Sequence, residues 1–219
     1  MSAMLAGRRV VVSAGPTYED IDPVRFLGNR SSGRMGFAVA QAAREAGAEV
    51  VLVAGPVHLP TPEGIQRVDV RSAAQMYDAV LGALPADVYI GAAAVADFTP
   101  REVSGHKIKK TPGSDTLVLE LVRTRDVLAA VASHPRRPAV VVGFAAETHD
   151  VERYARGKLE AKKVDMVAAN RVGVAGSGFE SEDNMLDVYW HGGGRRLGPG
   201  PKTGIARQLV ALVAERLRA

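Results

Sequence analysis

Two sets of lysines in this chain can hold phosphate. Lys107, Lys109 and Lys110 lie in GHKIKKTPG, between Gly105 and a Pro112-Gly113 turn. If the segment is extended, Lys107 and Lys109 share one face and Lys110 points to the other. It reads either as a basic flap moving on glycine hinges to close over phosphate, or as a charged edge that resists sheet aggregation. Lys158 and Lys162 stand four apart in DVERYARGKLEAKK, so on a helix both ammonium groups emerge on one side. Like charges at that spacing cost a helix about 0.2–0.5 kcal/mol, a penalty that gripping a triphosphate offsets. The plainer alternative is surface lysine partly balanced by Glu160 and Asp165.

A third group lies in DPVRFLGNRSSGRMG, residues 22–36. From Ala14 to Arg30 the chain shows no clear periodicity, and connections longer than about 12–15 residues are uncommon unless functional or disordered. Its polar residues Thr17, Glu19, Asp20, Asp22, Arg25 and Asn29 are interleaved with Ile21, Val24, Phe26 and Leu27, which are expected to anchor the loop to the body of the protein. The following Ser31-Ser32-Gly33 opens a helix, where unpaired N–H groups favour an anion and glycine allows close approach; a serine N-cap with a packing glycine is the alternative. In AAAVADF, Ala93 lets a flat base or sugar approach the backbone. Asp97 there offers a carboxylate to a hydroxyl or a magnesium ion, or simply forms a turn. His58, His106, His134, His149 and His191 show no metal-ligand spacing, so no protein metal set is assigned.

These groups need elements to position them. RRVVVSAG and AEVVLVAGP read as buried parallel strands flanking a helix through Met35, Ala38, Val39, Ala42, Ala43 and Ala46, with Gly47 as its stop. IQRVDV, DVYIGAAAVADF, AVVVGFAAET and VDMVAAN predict further strands. SAAQMYDAVLGAL, opened by Ser72, and DVERYARGKLEAKK predict helices, as does a closing run through Ile205, Leu209, Leu212, Val213 and Leu217. This alternation predicts an open, mainly parallel α/β sheet with its ligand at the carboxyl ends of the strands. Two segments depart from it. TPREVSGHKIKKTPGSDTLVLELV reads as the basic flap leading into an antiparallel strand, and DNMLDVYWHGGGRRLGPGP as a late hairpin. The spacing G-x-G-x-x-G is missing from the first turn, and Val53-Ala54-Gly55 ends the second strand without the acidic residue a dinucleotide ribose needs.

The totals narrow the class. A chain of 219 residues, 47% hydrophobic and 24% charged, fits one globular unit without internal repeats and has no apolar stretch near the roughly 20 residues of a membrane span. The N-terminus does not read as a secretory signal, and a cytoplasmic location is expected. With no cysteine, thiolate metal sites, disulfides and a thiol nucleophile are excluded. A net charge of +4 favours anionic partners, but aromatics at 5% and the lack of a recognisable module argue against nucleic acid and towards small phosphorylated ligands.

Taken together, SAGPT, IDPVRFLGNRSSGRMGFAVA, VLVAGPV, AAAVADF, KIKK, GFAAET and GFESEDN resemble phosphopantothenoylcysteine synthetase, the synthetase half of the bacterial bifunctional coenzyme A biosynthesis protein. The resemblance runs from Gly7 to the C-terminus in the family's order, and residues 1–219 are expected to form a single synthetase domain. It implies a Rossmann-like sheet with helices on both faces, plus the basic flap and an antiparallel extension used in a homodimer with a shared active site. The implied reaction is a two-step ligation. CTP with Mg2+ activates 4′-phosphopantothenate as an acyl-cytidylate, releasing pyrophosphate, and the amine of L-cysteine then displaces CMP. By position, Asn29 holds the substrate or acyl intermediate, Arg25 is a second functional residue, and Lys107 is the flap lysine linked to conversion of the intermediate. Gly15, Ser31, Ser32, Gly33, Ala93, Asp97, Asp126, Phe144, Lys158 and Lys162 fall at nucleotide-binding positions, with Ala93 at the base pocket.

Arg34 replaces the lysine more usual after Ser-Ser-Gly, and TRD at 124–126 stands where a threonine or asparagine, then proline and aspartate, is common. The flavin-dependent decarboxylase half that usually precedes this domain is not in the sequence, which fits an excised domain or a stand-alone protein with a separate decarboxylase partner. Two rival readings remain. Tyr154 and Lys158 form the Tyr-x-x-x-Lys of NAD(P)-dependent short-chain dehydrogenases, although the glycine-rich first turn and upstream serine are lacking. The other rival is a non-catalytic nucleotide-binding regulator on the same fold.

Overall fold

The computed structural model describes residues 3–110, 113, 115–147, 149–171 and 183–218, excepting the side chains of residues 171 and 183. Pro112 of the expected flap turn and most of GFESEDN lie outside the described residues. In chain order the elements are β1 (Arg9–Ala14), β2 (Tyr18–Asp20), β3 (Phe26–Gly28), α1 (Arg34–Glu45), β4 (Glu49–Ala54), β5 (Gln66–Asp69), α2 (Ala73–Gly82), β6 (Val88–Gly91), β7 (Phe98–Pro100), β8 (Leu121–Arg123), α3 (Val127–Ala132), β9 (Val140–Glu147), α4 (Val151–Lys162), β10 (Met166–Arg171), β11 (Asp183–Trp190), β12 (Gly193–Pro201) and α5 (Lys202–Leu217).

Eight strands form one sheet in the order β12-β11-β10-β9-β6-β1-β4-β5. The six from β10 to β5 run parallel, and β11 and β12 continue the sheet antiparallel. Valine-rich β1 and β4 are buried on both faces, as inner parallel strands must be when helices cover them. The chain leaves β1 towards β4 and β5, then returns to the other side of β1 as β6. That reversal puts a topological switch point between β1 and β6, where open α/β sheets leave a crevice beyond the strand ends.

Helices α1 and α5 pack together on one face, joined also by an ion pair between Arg207 and Glu45 at 3.0 Å. Small residues bring α1 close to the sheet: a Cβ at Gly36 would lie 2.5 Å from the Ala14 Cβ, so only glycine permits this approach. On the opposite face α2 begins with a full capping box, in which Ser72 accepts from the Gln75 N–H and the Gln75 side chain returns to the Ser72 N–H.

The sequence misses a hairpin and a helix, and misplaces a cap. The long connection after β1 contains the β2–β3 hairpin, and α3 follows Asp126, whose side chain accepts from the Ala129 N–H. The N-cap of α1 is Gly33 at φ 74°, with no side-chain cap bond, so neither Ser31 nor Ser32 caps that helix. The basic segment does run between antiparallel strands, β7 and β8, and the late hairpin forms as β11–β12 within the main sheet.

Gly55, just past β4, supports the same region, since a Cβ there would fall 1.7 Å from the Pro16 carbonyl oxygen. Removing the α2 cap with Ser72→Ala should cost about 1 kcal/mol in equilibrium urea denaturation. Gly55→Ala, which must displace backbone, should lower the urea midpoint further.

Candidate functional site

Two adjoining cavities open at the carboxyl ends of the parallel strands. The first, about 270 Å³, is bounded by the start of α1 at residues 31–36 and by Lys202 at the start of α5. The second, about 520 Å³, lies towards α3 and α4. Their common wall is the chain after β6, at Ala93, Val95 and Asp97, together with Phe144 and Lys158.

That wall begins as a small-residue corner fixed by hydrogen bonds to its backbone. Ala94 O accepts from the Thr17 N–H at 3.2 Å and from Asn29 Nδ2 at 3.0 Å, while the Ala94 N–H donates to Gly15 O at 2.9 Å. The Ala96 N–H donates to the buried Thr17 hydroxyl, and Thr124 Oγ1 donates to Ala96 O at 2.6 Å. The corner is thus held from the β1 loop on one side and the α3 loop on the other.

Lys158 is half-buried and donates to Phe144 O at 2.5 Å. Burial, then the charge of Lys162, lowers its pKa from the usual lysine value. Lys162 pairs with Asp126 rather than with the expected Glu160 or Asp165, which bind His191 and Arg137. Burial works to raise the Asp126 pKa, but the Ala129 N–H and Lys162 outweigh it, and the net shift is downward. The Lys162–Asp126 pair remains over a third exposed on both sides, so it is worth about 0–1 kcal/mol and a stronger anion can displace it.

At the first cavity, Gly33 takes a left-handed conformation and its N–H donates to Ser31 Oγ at 3.3 Å. The N-terminal turn of α1 there meets Lys202, which is 7% exposed, and Arg34. Burial first, then the Arg34 charge, lowers the Lys202 pKa. Helix N–H groups and two cations suit this wall to an anion.

The long loop is anchored mainly by polar contacts. Ile21 is buried as expected, but Val24 and Phe26 are exposed. Glu19 instead accepts from the Ala73 N–H at the start of α2, and Arg71 pairs with Asp20 while lying over the Tyr18 and Phe26 rings. Asp22, with a fully buried side chain, binds the Val24 and Arg25 N–H groups, the Arg25 guanidinium at 2.6 Å and the Ile108 N–H at 3.1 Å. Arg25 also donates to Ile108 O. Arg25 and Asp22 therefore grip the flap next to Lys107.

Of the residues expected at the site, Ser31, Ser32 and Gly33 line the first cavity, Asp126 and Lys162 the second, and Ala93, Asp97, Phe144 and Lys158 both. Asn29 and Gly15 reach the wall through Ala94. Arg25 and the exposed Lys107 line neither cavity in this conformation. Lys202, Asn170 and Asn184 also line the first cavity and Ser13 and Tyr89 the second, all unassigned from sequence. Asn170 was within reach of the rule that ligand residues follow parallel strands; the burial of Lys202 had no sequence signal. The dehydrogenase pair does not assemble: the Tyr154 hydroxyl meets Arg153 and His149, while Lys158 turns to Phe144 O.

The Arg25 bond, foremost, holds the Asp22 carboxyl well below the usual carboxylate range. A depressed folded-state pKa stabilises the fold above the unfolded value of about 3.9 and loses that contribution as pH falls below it. Stability of the parent protein should therefore decline more steeply between pH 4 and pH 2 than that of Asp22→Asn in urea titrations across that range, and Asp22→Asn should be the less stable at pH 7.

The family model for the DNA/pantothenate metabolism flavoprotein C-terminal domain matches residues 5–217. The coenzyme A biosynthesis bifunctional protein CoaBC of Vibrio cholerae is 48% identical over 215 residues, 98% of this chain and 54% of that protein. The Bacillus subtilis protein of the same name is 48% identical over 197 residues, 89% of this chain and 48% of that protein. The chain thus spans about half the length of the curated relatives it matches. A crystal structure of the C-terminal domain of CoaBC superposes with a TM-score of 0.83 at 38% identity, covering 99% of each chain. With a matching fold and a family model spanning nearly its whole length, the chain belongs to the DNA/pantothenate metabolism flavoprotein C-terminal domain family.

Proposed function

We propose that this chain joins 4′-phosphopantothenate to L-cysteine in coenzyme A biosynthesis, using CTP. The observation that carries the reading is the paired cavity whose shared wall holds Lys158 and Asp97, with the α1 N-terminus and Lys202 on one side and Lys162 on the other. A carboxylate that must attack a triphosphate meets an anion, and fixed positive groups at the reacting centre remove that repulsion without reorganisation at the moment of reaction. The relatives named for coenzyme A biosynthesis support the assignment.

In the first step a carboxylate oxygen of phosphopantothenate attacks the α-phosphorus of CTP; the bond from that phosphorus to the bridging oxygen breaks, and pyrophosphate leaves with the electron pair. In the second, the cysteine nitrogen attacks the acyl carbon, loses a proton, and CMP departs. Ser31, Ser32, Gly33 and the α1 amides bind phosphate, Lys158 and Lys162 hold the nucleotide beside Phe144 and Ala93, and Gly15 and Asp126 shape its site. Asn29, bonded through one Nδ2 hydrogen to Ala94 O, keeps its second N–H to donate to the carbonyl of the acyl group. Arg25 positions the flap that brings Lys107 to the intermediate.

A magnesium ion fits this site in one way. No group of three or more His, Cys, Asp or Glu suited to a metal converges among the described residues, so Asp97 would hold the ion together with phosphate oxygens, and the ion would supply charge neutralisation on the departing pyrophosphate. We further propose a single synthetase unit acting in the cytoplasm, beside a phosphopantothenoylcysteine decarboxylase domain or partner. The exposed Val24, Phe26, Phe98 and Leu121 on the two small hairpins support a homodimer that shares its active site.

With Mg2+ and CTP, pyrophosphate should appear only when phosphopantothenate is present, and CMP only after cysteine is added; pyrophosphate release that ignores phosphopantothenate would sink the proposal. Asn29→Asp, which sets a carboxylate against the substrate's own, should slow acyl-cytidylate formation roughly 100-fold while the Kd for CTP moves little. Equal loss of both would remove Asn29 from that role.

A further inference from the structure

The floor of the second cavity carries two hydroxyls that the ligation does not use. Ser13 on β1 and Tyr89 on the neighbouring β6 are each 1% exposed, and their oxygens lie 2.9 Å apart. Burial pushes the Tyr89 phenol up to about 12, so it stays a neutral hydroxyl. Two hydroxyls carry two hydrogens, and their mutual bond uses only one. Among the described residues neither side chain has another hydrogen-bond partner, which leaves one hydrogen and several lone pairs at a cavity floor. The bond can also run in either direction, so the pair can present its spare hydrogen from either oxygen.

Gly91 lines the same floor. A Cβ there would stand 3.2 Å from the Tyr89 hydroxyl oxygen and from the edge of its ring, so the glycine keeps the phenol uncovered. The walls nearby are apolar, formed by Val127, Leu128 and the half-buried Phe144, whereas Arg123 and Arg125 are exposed. A phosphate does not shed water for neutral hydroxyls and hydrocarbon when cations are available at the rim. A flat, neutral heterocycle does: its faces suit the apolar walls, and its ring nitrogen, carbonyl and amino groups need partners at its edge.

We infer that the Ser13–Tyr89 hydroxyl pair seats the nucleobase of the nucleotide co-substrate by hydrogen-bonding its edge at the floor of the second cavity. The inference rests on the reading that a nucleotide occupies these cavities. Because the pair can donate or accept, it fixes the depth and orientation of the base, while the width of the cavity limits its size.

Calorimetric titration of the full chain with CTP, with inorganic tripolyphosphate as a probe lacking a base, tests this. Tyr89→Phe keeps the ring and removes the hydroxyl; it should weaken CTP about two- to tenfold, the value of one hydrogen bond, and leave tripolyphosphate unchanged. Gly91→Ala, which covers the phenol without deleting it, should shift binding in the same sense. Thermal denaturation of each variant separates these effects from loss of fold. A Tyr89→Phe protein that binds both probes as the parent does, with only a lower Tm, makes the pair a core hydrogen bond and overturns the inference, as does equal weakening for both probes. If the parent binds tripolyphosphate but not CTP, the nucleotide reading itself fails, and the inference falls with it.

Discussion

A short piece of backbone with almost no side chains governs this site. Between β6 and β7 the chain must turn beside two cavities and present its peptide groups to both, so it is built of alanine, valine and one aspartate. Small residues allow close approach but provide little packing to hold a conformation. The conformation is set instead by hydrogen bonds from outside: Thr17, Asn29 and Gly15 on one flank, Thr124 on the other. Thr17 is buried and bonds the corner through both its N–H and its hydroxyl, so the loop after β1 and the strand end at β6 form one rigid unit. Site groups held this way start close to the geometry they need, which lowers the cost of organising them around a ligand.

The charges divide by burial. Asp22 lies out of solvent with five hydrogen bonds and links the loop to the flap, so its pairing with Arg25 belongs to the scaffold. Lys162 and Asp126 sit at a mouth where water screens them, and their pairing is easily exchanged. Lys158 is intermediate: its ammonium is drawn from water and bonded to the Phe144 carbonyl, while the carboxylates of Asp126, Glu147 and Asp97 act on it through space.

The parallel sheet was legible from sequence because its strands are short apolar runs ended by glycine or an acid and separated by helices with visible stops, as in β1, α1 and β4. The segments at fault were those where tertiary contacts override local pattern. Ser31 and Ser32 carry the right chemistry for a cap, yet Gly33 takes that position because the chain turns left-handed beside Val57, where a Cβ would come within 3.0 Å. Val24 and Phe26 look like anchors, but the loop is tied down by Glu19, Asp20 and Asp22. Helix α3 is too short to leave a periodic trace. Among the site residues, those following strands could be found by position. Lys202, Ser13 and Tyr89 could not, since burial of a lysine or pairing of hydroxyls on adjacent strands depends on which strands meet.

Lys158 and Asp97 belong to both compartments. A partition with charges in common makes the two occupancies interdependent: an anion bound on one side spends part of the positive potential that would greet an anion on the other, whereas a neutral guest does not. By thermodynamic reciprocity the effect is mutual. Two charged occupants that are not parts of one molecule therefore weaken each other's hold to the same extent, whichever arrives first.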